Sequence, residues 1–191
     1  EIEDNSFNLI LTNPPFSFPI KNRKVLDQFE LGKNNPSEQI DILYVEKCYN
    51  LLKEGGLLGI VLPEGLLNLK RFEYFRKYIL KKFTIVASIS LPSGAFLQFG
   101  QSNSKTCIIF ISKREEDRDK VFFADAVEIG YVCGKKQYLR NNSNDLNFFL
   151  DNYLNKKSEE ILTTPFGGRS IYVNYKKLNE KRLDAKYYLM Q

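Results

Sequence analysis

Phe7-Asn8-Leu9-Ile10-Leu11-Thr12-Asn13-Pro14-Pro15-Phe16 is the stretch that decides how this chain folds. Its first six residues are a short, nearly continuous apolar run, the pattern of a strand buried on both faces. The run stops at two prolines, each fixing its own φ at about −65° and pushing the residue before it out of the helical region. Asn13 and Pro14 are therefore held extended at the mouth of the strand. Downstream, residues 17–37 are polar and basic with Pro19, Gly32 and Pro36, and read as a long loop of the kind that is usually functional or mobile. Ile42, Val45, Tyr49 and Leu52 then fall at helical spacing, with Ser37 as the expected N-cap and Gly55-Gly56 as the expected stop. Leu57–Leu62 (LLGIVL) reads as a second buried strand. Pro63-Glu64-Gly65 turns the chain into an amphipathic helix carrying Phe72, Phe75 and Ile79 on one side. Thr84–Leu91 and Lys105–Ser112 read as two further strands, joined by a Gly-, Ser- and Gln-rich loop that contains Phe96 and Phe99.

Strand, helix, strand, helix, strand, strand is half of a doubly wound α/β sheet, its last two strands close enough in sequence to pair antiparallel. Sites in such sheets lie beyond the carboxyl ends of the strands, which is where Asn13–Phe16 and Pro63–Gly65 fall. After Lys113 the pattern weakens. Arg114–Lys120 is a charged turn, Val121–Val132 has the character of a strand at a sheet edge, and Leu146, Phe149, Leu150 and Tyr153 suggest a helix over Asp145–Lys156. Residues 157–191 have no clean period. The expected division is 1–113 for the sheet, 114–156 for an edge strand and helix, and 157–191 for a linker.

The triplet Asn13-Pro14-Pro15 places an amide side chain beside a fixed backbone carbonyl. Those are two neutral acceptors aimed at one point, suited to an aromatic exocyclic amine. Such an amine is a poor nucleophile because its lone pair is delocalised into the ring. Two accepted hydrogen bonds draw the nitrogen toward tetrahedral geometry and stabilise the positive charge that grows as it attacks, with no ionised base required. Phe16 has the shape to stack on the same ring, an interaction worth about 1–3 kcal/mol for a base on an aromatic, or to bury the loop as a core residue.

Composition narrows the alternatives. The chain has 191 residues, 43% of them hydrophobic and 27% charged, so one ordinary folded domain is expected rather than a disordered or disulfide-scaffold chain. Histidine is absent, which excludes histidine catalysis, and with Cys48, Cys107 and Cys133 far apart no zinc spacing arises, so no metal site is expected. No apolar stretch approaches the roughly 18 residues of a membrane span and no leader is evident, so the default is a soluble intracellular protein. The chain opens at Glu1 without an initiator methionine and runs at once into a strand, as a piece of something longer does. Its formal net charge of +5 is matched by residues 70–82 alone, where Lys70, Arg71, Arg76, Lys77, Lys81 and Lys82 face one acid, Glu73. That cluster is either a solvated helix face or a contact to nucleic-acid phosphates through Lys70, Arg76 and Lys77.

With these blocks in place the sequence resembles the amino-methyltransferases that methylate adenine N6 in DNA, of the Asn-Pro-Pro-Phe/Tyr kind found in restriction-modification systems. The resemblance also rests on Leu51–Gly56 leading into Gly59–Pro63, and on Leu91–Phe96 leading into Lys105–Phe110. These blocks look most like the modification subunit of type I systems and related fused enzymes. The resemblance implies the C-terminal half of a Rossmann-like class I methyltransferase sheet ending in an antiparallel pair, followed by a mixed C-terminal extension. It implies S-adenosylmethionine as cofactor, double-stranded DNA as substrate, a specificity subunit or fused target-recognition domain and a restriction subunit as partners, and the prokaryotic cytoplasm. By the same resemblance Asn13, Pro14, Pro15 and Phe16 are the catalytic block, with Asn13 and Pro14 holding the target N6. Phe16 stacks on the flipped adenine, and Phe96, or on spacing alone Phe99, packs its other side.

Two departures accompany this. In the family the glycine-rich loop and acidic residues that hold S-adenosylmethionine precede the Asn-Pro-Pro-Phe block, and only twelve residues do so here, so the cofactor contacts are not assigned and the chain alone is expected to be inactive. At the other end, Arg182-Leu183-Asp184-Ala185-Lys186-Tyr187-Tyr188 looks like the segment that opens target recognition in fused enzymes. Methylation of a protein glutamine or an RNA base, and a non-catalytic nucleic-acid-binding or assembly module, are the competing readings. Cytosine C5 methylation is disfavoured because none of the three cysteines follows a proline.

Overall fold

The computed structural model describes residues 2–97, 104–113, 118–133, 139–156 and 158–190. In chain order the elements are strands β1 (Phe7–Thr12) and β2 (Pro19–Ile20), helix α1 (Arg23–Leu26), strand β3 (Glu38–Gln39), helix α2 (Ile40–Leu51), strand β4 (Leu52–Pro63) and helices α3 (Gly65–Asn68) and α4 (Glu73–Lys82). Strands β5 (Phe83–Ser90), β6 (Thr106–Lys113), β7 (Lys120–Asp125), β8 (Ile129–Tyr131) and β9 (Leu139–Asn144) follow, then helix α5 (Asp145–Asp151), strands β10 (Leu162–Thr163) and β11 (Arg169–Asn174), and helix α6 (Ala185–Tyr188).

Among the described residues seven strands form one mixed sheet in the order β1-β4-β6-β5-β7-β11-β10. β1 and β4 are parallel, and β6 is inserted antiparallel between β4 and β5. The antiparallel pairing of β5 with β6 is as expected, but the pair stands in the middle of the sheet and not at its end. One face of the sheet presents Leu58, Ile60, Ile85, Ile109, Val121 and Phe123 to Ile42 and Val45 of α2, Phe75 and Ile79 of α4, and Tyr188 of α6. The other face carries a smaller core in which Phe122 and Tyr172 pack against Phe149 of α5. No helix among the described residues is long and apolar enough to cross a membrane.

Several expectations need correction. β1 is not buried on both faces: it has a strand neighbour on one side only among the described residues, and Phe7, Leu9 and Leu11 are exposed. Helix α2 begins at Ile40 rather than after Ser37, with no side-chain cap, and Leu52 is already extended. Gly55 therefore stops no helix. With φ +73 it takes up a bulge in β4, across which the register moves from Phe7↔Leu52 to Leu9↔Leu57. The stretch after residue 113 supplies no mere edge. β7 runs parallel to β5 and is covered on its other side by β11, so the sheet crosses both boundaries drawn at 113 and 156. Residues 157–191 are accordingly not a linker: Leu183, Ala185 and Tyr188 belong to the main core, and the Leu183 amide donates to the Leu67 carbonyl at 2.9 Å.

The loop at 17–37 is tied down as well. β2 pairs with β3, the Arg23 guanidinium donates to the carbonyls of Lys33 and Asn35, and the Glu46 carboxylate accepts the amides of Glu30 and Leu31 at 2.6 and 2.9 Å. Leu26 is fully buried beneath it.

Candidate active site

The carboxyl end of β1 delivers Asn13 and Pro14 beside the last residues of β4, since Thr12 registers with Ile60 and the two strands run in the same direction. Asn13 and Pro15 are exposed, Pro14 is buried and Phe16 is half-buried. This alternation is what two prolines after a strand impose: the polar amide faces out while the ring of Pro14 locks inward. Phe16 meets Phe96 edge to face, with ring centroids 6.3 Å apart and planes at 89°. The structure thus brings together two aromatics lying 80 positions apart in the chain. Phe99 lies outside the described residues.

Just past Phe16, Ser17 has φ +54, the left-handed region that favours glycine. Its amide donates to Asp41 Oδ2 at 3.0 Å. Asp41 is fully buried on the first turn of α2, and burial pushes its carboxyl above the usual range against the pull of the Ser17 and Ile42 amides. Beside it, Glu38 accepts from the Tyr74 hydroxyl at 2.7 Å, and burial together with that bond pushes the Tyr74 phenol up.

A polar network joins the same ends of the neighbouring strands. Buried Glu64, directly after β4, accepts from the hydroxyl of Ser90 at the end of β5. Lys105, entering β6, lies 3.6 Å from Glu64 and 2.9 Å from Asp125 at the end of β7. Of these four residues the sequence placed only Glu64, in the Pro63–Gly65 turn at a strand's carboxyl end, and Ser90, Lys105 and Asp125 went unread. Their signal was positional, since each sits where a strand reaches the same edge of the sheet as Asn13. An open groove of about 350 Å³ beside the turn is lined by Ser17, Gln39, Glu64, Asn68, Arg71 and Lys105.

The cation cluster divides. Arg76 is 1% exposed and donates to the carbonyls of Leu66, Leu69 and Glu180, so it is removed from the phosphate-contact set. Lys77 is exposed and paired with Glu73 at 2.8 Å, and Lys82 is paired with Glu30 at 3.2 Å. Lys70 and Arg71 are exposed with no ion pair among the described residues. Cysteine chemistry has no support in this geometry: burial pushes the Cys48 thiol up to about 11, and Cys107 is fully buried with its thiol raised further.

The seven-stranded sheet shares its fold with solved structures described as class I, S-adenosylmethionine-dependent methyltransferases. A putative enzyme of that class from Listeria monocytogenes superposes on 60% of this chain with a TM-score of 0.51 at 20% identity, covering 34% of that chain. The methyltransferase subunit of a type I restriction-modification system from Streptococcus thermophilus superposes on 95% with a TM-score of 0.70 at 22% identity, covering 38% of that chain. The N-6 DNA Methylase family matches residues 1–185, and the chain belongs to that family. Among curated proteins it is 26% identical over 185 residues to the type I restriction enzyme MpnII methylase subunit of Mycoplasma pneumoniae, covering 93% of this chain. It is also 26% identical over 123 residues to the type II restriction enzyme and methyltransferase RM.Eco57I of Escherichia coli, covering 61% of this chain. The chain spans 31% of the first relative's length and 12% of the second's.

The described residues do not by themselves fit S-adenosylmethionine. Beside Asn13 the exposed side chains of β1 include the apolar Leu9 and Leu11, which offer a charged cofactor no polar partner of their own.

Proposed function

We propose that this chain is the catalytic lip of a DNA methyltransferase of a restriction-modification system, acting on the N6 amine of adenine. The observation that carries the reading is the turn at the end of β1, where exposed Asn13 follows a strand held in parallel register with β4 and Phe16 meets Phe96. In this reading the Asn13 amide oxygen and the Pro14 carbonyl accept the two N6 hydrogens, and the charge that develops on nitrogen is held by neutral dipoles in place of a base. Pro15 keeps Pro14 extended. Phe16 stacks on the extruded base and Phe96 closes on its other side, which holds the base out of the duplex so that its exocyclic amine can be reached.

Double-stranded DNA approaches from the edge that bears exposed Lys70 and Arg71, neither ion-paired among the described residues, with the Arg71 guanidinium over the Phe72 ring. S-adenosylmethionine is the methyl donor that the class implies. A specificity component and a restriction component are the partners, and the cytoplasm is the compartment. In the full-length protein, Asn13→Ala should lower the single-turnover rate of methyl transfer by about a hundredfold, the loss of one oriented acceptor. DNA affinity and thermal stability should change little, because Asn13 is exposed. Wild-type turnover in that variant contradicts the assignment.

A further inference from the structure

The residue that follows the catalytic turn is held in an unfavourable backbone conformation by one buried carboxylate. Ser17 occupies the left-handed region, where an L-residue with a side chain is disfavoured and persists only when its surroundings over-determine it. What determines it is Asp41, whose Oδ2 accepts the Ser17 amide at 3.0 Å while Oδ1 accepts the Ile42 amide at 3.1 Å. Asp41 has no ion pair among the described residues, and Glu38 lies close enough to disfavour its charge further. Burying a carboxylate costs folding stability, and here the Ser17 and Ile42 amides are the groups that offset it. The chain is fixed on the far side too: the Ile40 amide donates to the Phe18 carbonyl at 2.9 Å, and Pro19 pairs with Gln39. The start of α2 thus grips the two residues immediately after Phe16, whose ring meets Phe96.

We infer that Asp41 is a positioning residue, which through the Ser17 amide sets the Phe16 ring at the angle that receives the target base. This rests on the function proposed above. Its test is a double-mutant cycle in the full-length protein, read as single-turnover methyl transfer to DNA with thermal stability measured alongside. Asp41→Ala should lower the rate by about tenfold, and Asp41→Asn, which keeps an acceptor for Ser17, by less than about threefold. In a Phe16→Ala background Asp41→Ala should cost less than about a further twofold, because the ring it positions is gone. Asp41→Leu, apolar and of similar length, serves in the same cycle should the Ala variant not fold. An equal loss in both backgrounds, or an Asn variant as slow as Ala, overturns the inference and leaves the proposed function standing. Wild-type turnover in Phe16→Ala overturns both.

Discussion

β1 and β7 are each six residues long and predominantly apolar, yet they meet opposite fates. β7 lies between β5 and β11 and buries Val121, Phe122, Phe123 and Ala124. Among the described residues β1 pairs on one side only and leaves Leu11 67% exposed. An apolar run specifies a strand, and its burial is set by neighbours that the run does not encode. The division also separates labour: the strand that delivers Asn13 contributes little packing, while the strand farther along the sheet holds the core together and carries Asp125 at its end.

That comparison breaks most visibly in stability. Phe123 is fully buried and stacks on Tyr188 with centroids 4.2 Å apart, so Phe123→Ala should cost about 3–5 kcal/mol in denaturant unfolding. Leu11→Ala should stay within about 0.5 kcal/mol of wild type. Similar losses at the two sites mean that β1 is covered by something the chain's own residues do not supply.

The cations of residues 70–82 sharpen the same point on a smaller scale. Arg76→Ala leaves three carbonyls without their donor and opens a gap between α4 and the C-terminal segment, a loss of about 3 kcal/mol. Lys77→Ala, which breaks only an exposed pair, should cost no more than about 0.5 kcal/mol. Lys70→Ala and Arg71→Ala should leave stability unchanged and lower the salt slope of DNA binding by about 0.9 for each phosphate contact removed. A slope unchanged in both means the exposed part of the cluster is only a solvated face.

These contrasts show which features a sequence carries openly. Asn13–Phe16 was legible because two prolines fix the local backbone whatever the fold does around them. The strand pair Thr84–Leu91 and Lys105–Ser112 was legible from short-range pattern. Arg76 was misread although its signal was present: it lies four residues after Phe72 and three before Ile79, on the same apolar stripe. The pairing of β11 with β7 joins residues about fifty positions apart and leaves no local mark, which is why residues 157–191 read as a linker. Asp41 escaped for the same reason, because its partner Ser17 is 24 residues away. The Glu64, Ser90, Lys105 and Asp125 network becomes visible only once the strand order is known.

The claim at the centre of this account is that the Asn13–Phe16 lip acts on the N6 amine of adenine in DNA. Its most direct test is to incubate the full-length protein with double-stranded DNA and S-adenosylmethionine, digest the DNA to nucleosides and identify the methylated base by mass spectrometry. The expected product is N6-methyladenine, nearly lost with Asn13→Ala. A methylated cytosine, or N6-methyladenine formed equally by the Asn13→Ala variant, contradicts it.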